Sequence, residues 1–271
     1  MKLNLLKLGI IAAIFSIFMG CEKNENPAVD LNPQTKDKLY VVENSMLVFE
    51  TPDDYDLLLE KWSNVDFEII LTEQQEAGFS SMYAVYAEKN DLDNLPADDI
   101  FFPLILSPEA KIKIGDYVFS FDFKTETLKA HKNGEKNAES FSFDHEVLPY
   151  LFDGEPLVKG DYCDGKRRAT DVSGQEGWTR YYRAGIYYSL YAQFNVDKKF
   201  YGRMHSVGQF KWKNKKSSYY SYGDFNVAGQ FGKLYYSMYK KRFRLKGYHA
   251  EVMFIDETRD KEDDVLNQCN Q

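Results

Sequence analysis

The alternation of apolar and polar positions divides the chain into distinct stretches. Leu8 to Phe18 is an apolar run interrupted only by Ser16, preceded by Lys2 and Lys7. It is too short to cross a bilayer, which takes about 20 apolar residues. A positive start, a short apolar stretch and a small residue, Gly20, beside Cys21 follow the order of a secretory signal. Residues 22–37 then lose all periodicity. Asn24, Asn26, Pro27, Asn32 and Pro33 fill a segment with no apolar face to bury, so it reads as a flexible tether. Such a segment has an r.m.s. reach of roughly 20 Å.

Structure is expected from Lys38 onward. Lys38–Glu43 and Met46–Phe49 read as short strands. Thr51-Pro52-Asp53-Asp54 is a helix start, with a capping threonine, proline at the first helical position and an acid at the third. Tyr55, Leu58, Leu59 and Trp62 follow at helical spacing. Ser63, with Asp66 as its capping-box partner, predicts the start of a second helix carrying Phe67, Ile70 and Leu71, and Gly78 predicts its left-handed end. Ser80 or Ser81 predicts a third, shorter helix through Tyr86. Asp91–Asp99 reads as a solvated acidic loop. It lacks the glycine and the terminal glutamate of an EF-hand, so no metal is assigned to it.

From Ile100 the period changes to two. Lys111–Ile114, Tyr117–Phe123 and Thr127–His131 predict a three-stranded meander, with Gly115-Asp116 as a hairpin turn. Further on, Arg180–Val196 alternates almost without a break and predicts one long strand bent near Gly185. Gln209–Lys213, Tyr219–Val227, Lys233–Tyr239 and Tyr248–Ile255 predict more strands, with a basic turn at 214–218. Several antiparallel strands at short intervals favour a sandwich or a barrel.

Charge adds a boundary to this picture. The chain carries a net −8, but residues 22–155 hold 11 Lys/Arg against 29 Asp/Glu, whereas residues 156–250 hold 19 against 6. A reversal of this kind near residue 155 has two meanings. The basic part binds an anionic polymer or headgroup surface, or the two parts dock on each other. The densest basic run, Lys240–Lys246, reads as solvated loop charge, with contact to lipopolysaccharide, nucleic acid or an acidic partner as the alternative. Nothing in it is arranged for specific nucleic-acid recognition.

The residues around Cys21 resemble the lipobox of bacterial lipoproteins, although Phe18 stands where that family usually has leucine. The resemblance implies diacylation of the Cys21 thiol, and two acyl chains anchor a protein firmly where one does not. Met46–Phe49 before a capped helix, then Glu76–Ser81, Lys113–Tyr117 and Tyr187–Ala192, are similar to a group of uncharacterised lipoproteins of Bacteroidetes-type bacteria. That resemblance implies an outer-membrane or surface-exposed lipoprotein and brings no catalytic residues with it.

Candidate chemistry is sparse. There is no G-x-S-x-G, H-E-x-x-H, P-loop or G-x-G-x-x-G pattern, and His131, His145, His205 and His249 are scattered. No catalytic residue, metal or cofactor is assigned. Tyrosine supplies much of the 16% aromatic content, and Tyr181, Tyr187 and Tyr191 beside Arg183 fall on one face of the expected long strand. Exposed, they would stack on sugar rings. Covered by the N-terminal half, they would be core, which is the commoner fate of aromatics at strand spacing. Cys163 and Cys269 are a candidate disulfide in an oxidising compartment.

The chain therefore reads as α+β, with short N-terminal helices and a β-meander packed on a C-terminal antiparallel β sandwich or barrel. Its parts are a signal peptide (1–20), a lipidated tether (21–37), an acidic helical and meander region (38–155), a basic tyrosine-rich β domain (156–256) and a polar tail (257–271). The expected function is a non-catalytic, lipid-anchored envelope module. Its expected partners are the bilayer through Cys21 and a glycan or anionic envelope component. The alternative is a secreted hydrolase acting on polysaccharide or peptidoglycan.

Overall fold

Two short strands, β1 (Val41–Glu43) and β2 (Met46–Phe49), pair antiparallel around Asn44 and Ser45. Both turn residues have positive φ, 49° and 60°, matching the right-handed strand twist as in a type I′ turn. The computed structural model describes residues 38–63, 65–158, 167–170, 176–196, 200–212, 215–227, 232–245, 248–255 and 261–269. All of these belong to one compact unit that begins at Lys38.

Helix α1 (Pro52–Trp62) begins as the capping signal requires. Thr51 Oγ1 accepts from the Asp54 N–H at 3.2 Å, and Asp54 returns a bond to the Thr51 N–H at 3.1 Å. Tyr55, Leu58, Leu59 and Trp62 are buried on one face. Ser63 does not start the second helix. It retains helical dihedrals, and its hydroxyl donates to the Leu59 carbonyl, so it ends α1. Asp66 takes the N-cap position of α2 (Phe67–Glu76) without a side-chain bond. The α2 end is a Schellman motif. Gly78 has φ 73°, the Phe79 N–H donates to the Gln74 carbonyl, and the Gly78 N–H to that of Gln75. Ser81 caps α3 (Met82–Glu88) by accepting from the Ala84 N–H.

The chain then crosses the core as a buried run, Phe101–Leu106, containing a short 3-10 turn. It returns in β3 (Lys111–Ile114), parallel to β2. The meander follows in β4 (Tyr117–Asp122) and β5 (Thr127–Lys132) and extends to β6 (Ala138–Ser142), which the sequence pattern did not reveal. The sheet order is β1-β2-β3-β4-β5-β6. Leu47, Phe49, Ile112, Ile114, Phe119, Phe121 and Leu128 are buried in one core cluster with the apolar face of α1. A fourth helix, α4 (Val147–Asp153), ends at Gly154 with φ 66°.

The C-terminal region forms two four-stranded sheets. One contains β7 (Arg167–Thr170), β8 (Glu176–Arg183), β9 (Tyr188–Val196) and β12 (Gly232–Lys241), in the order β12-β9-β8-β7. The other contains β10 (Phe200–Trp212), β11 (Lys215–Val227), β13 (Tyr248–Ile255) and β14 (Lys261–Cys269), in the order β11-β10-β13-β14. Among the described residues neither sheet closes into a barrel. Residues 261–269, read from their polarity as a tail, instead pair with β13.

The expected long strand over 180–196 is a hairpin. β8 and β9 pair antiparallel, with Arg183 opposite Tyr188, around a loop of Ala184-Gly185-Ile186-Tyr187. Gly185 has φ 77°, and a Cβ there would lie 2.1 Å from Leu128 Cδ2. The turn is thus formed where the meander presses against the backbone, a contact between residues far apart in sequence.

Candidate functional site

The hairpin redistributes the tyrosines. In an antiparallel pair, residues opposite each other share a face. Tyr181 lies opposite Leu190, Tyr182 opposite Ser189 and Arg180 opposite Tyr191. Tyr181 and Tyr191 therefore point to opposite faces of the sheet, and Tyr187 belongs to the turn. Of the two readings of these tyrosines the covered one holds, and they form no exposed row: Tyr181, Tyr187 and Tyr191 are 2%, 0% and 0% exposed. The face carrying Tyr182, Ser189 and Tyr191 is covered by the N-terminal half.

At the centre of that cover is Asp99, fully buried. Its two carboxylate oxygens accept four hydrogen bonds. Oδ2 accepts from the hydroxyls of Tyr187 (2.8 Å) and Ser189, and Oδ1 from the Tyr235 hydroxyl (2.7 Å) and the Phe101 N–H (2.8 Å). Four bonds fill a carboxylate's accepting capacity. Tyr187 also stacks on Phe102, with ring centres 4.6 Å apart and planes at 11°. Burial raises the Tyr187 phenol well above its ordinary range, and the Asp99 charge adds to the effect, so this hydroxyl stays protonated and donates.

Lys240 enters from β12. It is 5% exposed, its Nζ lies 3.7 Å from the Phe101 ring centre, and it donates to the Ser63 carbonyl at 3.4 Å. Burial pulls its ammonium down to about 8, with the Asp99 charge opposing that shift.

Around this centre the two charge-biased parts meet. Arg180 pairs with Asp98, and Arg183 with Asp144 at 3.1 Å. Lys241 reaches Glu60 at 2.8 Å, and Arg242 pairs with Asp53, both carboxylates on α1. The Arg244 backbone N–H donates to Glu146. Much of the basic run at 240–246 is thus turned toward the acidic half, and burial beside these cations still raises the Asp56 carboxyl above its ordinary value.

A small polar cleft opens at the edge of this seam. It measures about 60 Å³ and is lined by Asp98, Phe123, Glu126, Asp144 and the four consecutive residues Arg180–Arg183. Its carboxylates Asp98 and Asp144 are each held by an arginine. Among the described residues no group of three or more His, Cys, Asp or Glu side chains gathers to hold a metal ion. None of the helices there is long and apolar enough to cross a membrane.

Cys21 and Cys163 lie outside the described residues, and Cys269 is placed at the end of β14, opposite Tyr248. Asp99 fell in the stretch read as a solvated acidic loop, yet it is fully buried, and Lys240 opened the densest basic run, yet it is 5% exposed; Ser189 and Tyr235 were not singled out as site residues. A signal for Asp99 was present, since Asp98-Asp99 directly precedes the apolar run Ile100–Leu106 and so must enter the core beside it.

No family model matches the chain, and no curated protein matches it. Among solved structures it is similar to that of a DUF4848 family protein from Bacteroides thetaiotaomicron, at 11% identity and a TM-score of 0.25. The match covers 84% of this chain and 98% of that one.

Proposed function

We propose that this protein is a lipid-anchored, non-catalytic binding module of the bacterial cell envelope, directed at a glycan or another envelope component. One observation carries the non-catalytic reading. The polar cluster between the two halves, Asp99, Tyr187, Tyr235 and Lys240, holds itself and the core in place. It serves as structure, which leaves the surface to do the binding. The anchor reading rests on the resemblance of the Cys21 region to a lipobox, with residues 22–37 as the leash. β14 lies against β7 and β8, which supports reading the two C-terminal sheets as the layers of a sandwich.

The competing reading, a polysaccharide or peptidoglycan hydrolase, is separated by one experiment. The full chain is incubated with purified sacculi and with insoluble polysaccharides, then sedimented. Co-sedimentation without release of soluble sugar or peptide products is the expected result. Release of products, stoichiometric excess over protein, overturns it. In the same cells, label from a clickable palmitate analogue is expected on the wild-type chain and lost in Cys21→Ala.

A further inference from the structure

We propose that the β10–β11 ribbon is the docking platform for an acidic polysaccharide, because its register puts Tyr220 and Tyr222 on one face together with the facing lysines Lys211 and Lys216. This deepens the binding-module reading and rests on it. β10 and β11 pair without a shift from Phe200–Val227 to Trp212–Lys215. Residues directly opposite each other share a face, and the faces alternate along each strand. One face therefore carries the rungs Arg203–Asp224, His205–Tyr222, Val207–Tyr220, Gln209–Ser218 and Lys211–Lys216. The other carries Met204, Phe210, Trp212 and Phe225, joined by Phe254 of β13 through its pairing with Gly202. An antiparallel sheet with one apolar and one polar face buries the apolar one, which leaves the polar face for water or a ligand.

The charges on the polar face select the sign of the ligand. At one end Arg203 stands opposite Asp224, a rung of opposite charges. At the other, Lys211 stands opposite Lys216, and like charges directly opposite each other destabilise a strand pair. No Asp or Glu occurs between Met204 and Gly223 to offset them within the ribbon. A local choice that works against the fold is the mark of a functional site, where stability is given up for something else. An anion laid across the two lysines turns their repulsion into a shared attraction, and a cation meets only repulsion there.

The tyrosines select the kind of anion. Tyr220 and Tyr222 occupy successive positions of the polar face, about 6.6 Å apart along the strand. Aromatics in such a row suit a polymer of rings, since each offers an apolar body to a ring face and a polar tip to its hydroxyls. A lipid headgroup brings the negative charge without the rings. A nucleic acid brings both, and the envelope reading is what favours a glycan over it. β11 is also the outermost strand of its sheet, so a long chain lying along it runs past the lysines at the ribbon end without meeting another strand of that sheet.

The test is titration calorimetry on the full chain in detergent, with tetragalacturonate, the neutral cellotetraose and a short oligothymidylate as probes. Wild type is expected to bind tetragalacturonate about fivefold or more tightly than cellotetraose, and less tightly as salt is raised. Lys211→Gln together with Lys216→Gln is expected to abolish that preference. The unfolding midpoint of this variant is expected to be unchanged or higher, since a repulsive rung has been deleted. Tyr220→Val together with Tyr222→Val keeps the strand propensity and is expected to weaken tetragalacturonate about fivefold or more. Equal tetragalacturonate binding by wild type and both double variants overturns the platform while leaving the module reading intact. Cellotetraose or oligothymidylate bound as tightly as tetragalacturonate overturns the acidic-glycan assignment. No binding of tetragalacturonate also overturns it, and the sacculus experiment then judges the module reading separately.

Discussion

Asp99 and Lys240 show how much a single environment changes a residue. Asp99 reaches its full complement of hydrogen bonds from three hydroxyls and one backbone N–H. Lys240 has only a ring and a carbonyl near its ammonium, too little to offset its burial, so its proton is held loosely. The consequence for pH has a definite sign. Between the folded value near 8 and the ordinary value of 10.5, the unfolded chain holds more protons on this lysine than the folded one. The contribution of Lys240 to stability therefore rises with pH through that window, at about 1 kcal/mol per pH unit near pH 9. Above about pH 9 the trend is opposed and then reversed, because Tyr55, Tyr181, Tyr182, Tyr187, Tyr188 and Tyr239 are raised in the fold and ionise only on unfolding. Lys240→Met keeps the packed stem and removes the charge. Urea midpoints taken from pH 8 to 10 are expected to lose this rise in the variant. Parallel profiles for the two proteins would exclude the assignment.

At the level of elements, α1 and the β3–β5 meander were legible because their signals are local. The capping box of Thr51 and Asp54 and the glycine of the β3–β4 turn lie within four residues of what they determine. The 180–196 hairpin was not legible, and the reason is geometric. Its loop, Ala184–Tyr187, is as apolar and alternating as the strands it joins. What makes it turn is Gly185 against Leu128, a contact no local window contains. That misreading transposed the candidate site, since placing Tyr181 and Tyr191 on one face required an unbroken strand. Gly185→Ala is expected to cost roughly 2–4 kcal/mol, from the clash with Leu128 and the left-handed backbone together. Adding Leu128→Ala removes the clash, so the double variant is expected to lose at least 1 kcal/mol less than the two single losses combined. Strict additivity in denaturant unfolding would show that the close approach is not what sets the turn.

At the scale of the whole molecule, the charge reversal near residue 155 is answered in part from within. Lys241 and Arg242 meet the acids of α1, while Arg180 and Arg183 meet Asp98 and Asp144. Exposed pairs such as Lys241–Glu60 contribute little each, so complementarity orients the halves more than it binds them. The binding comes from apolar burial across the seam and from the Asp99 cluster, which ties the 95–106 segment to β9, β12 and the hairpin turn. The sequence carried the two charge blocks plainly but not their mutual docking, because complementarity within a chain and affinity for an outside polymer look alike in composition. The most direct measurement is equilibrium urea unfolding of Asp99→Ala, followed by tryptophan fluorescence and far-ultraviolet circular dichroism. Loss of the carboxylate leaves two buried hydroxyls, the half-buried Tyr235 hydroxyl and the Lys240 ammonium without it, and the expected cost is about 3 kcal/mol or more. A variant within about 1 kcal/mol of wild type would contradict the claim that this carboxylate seals the two halves together.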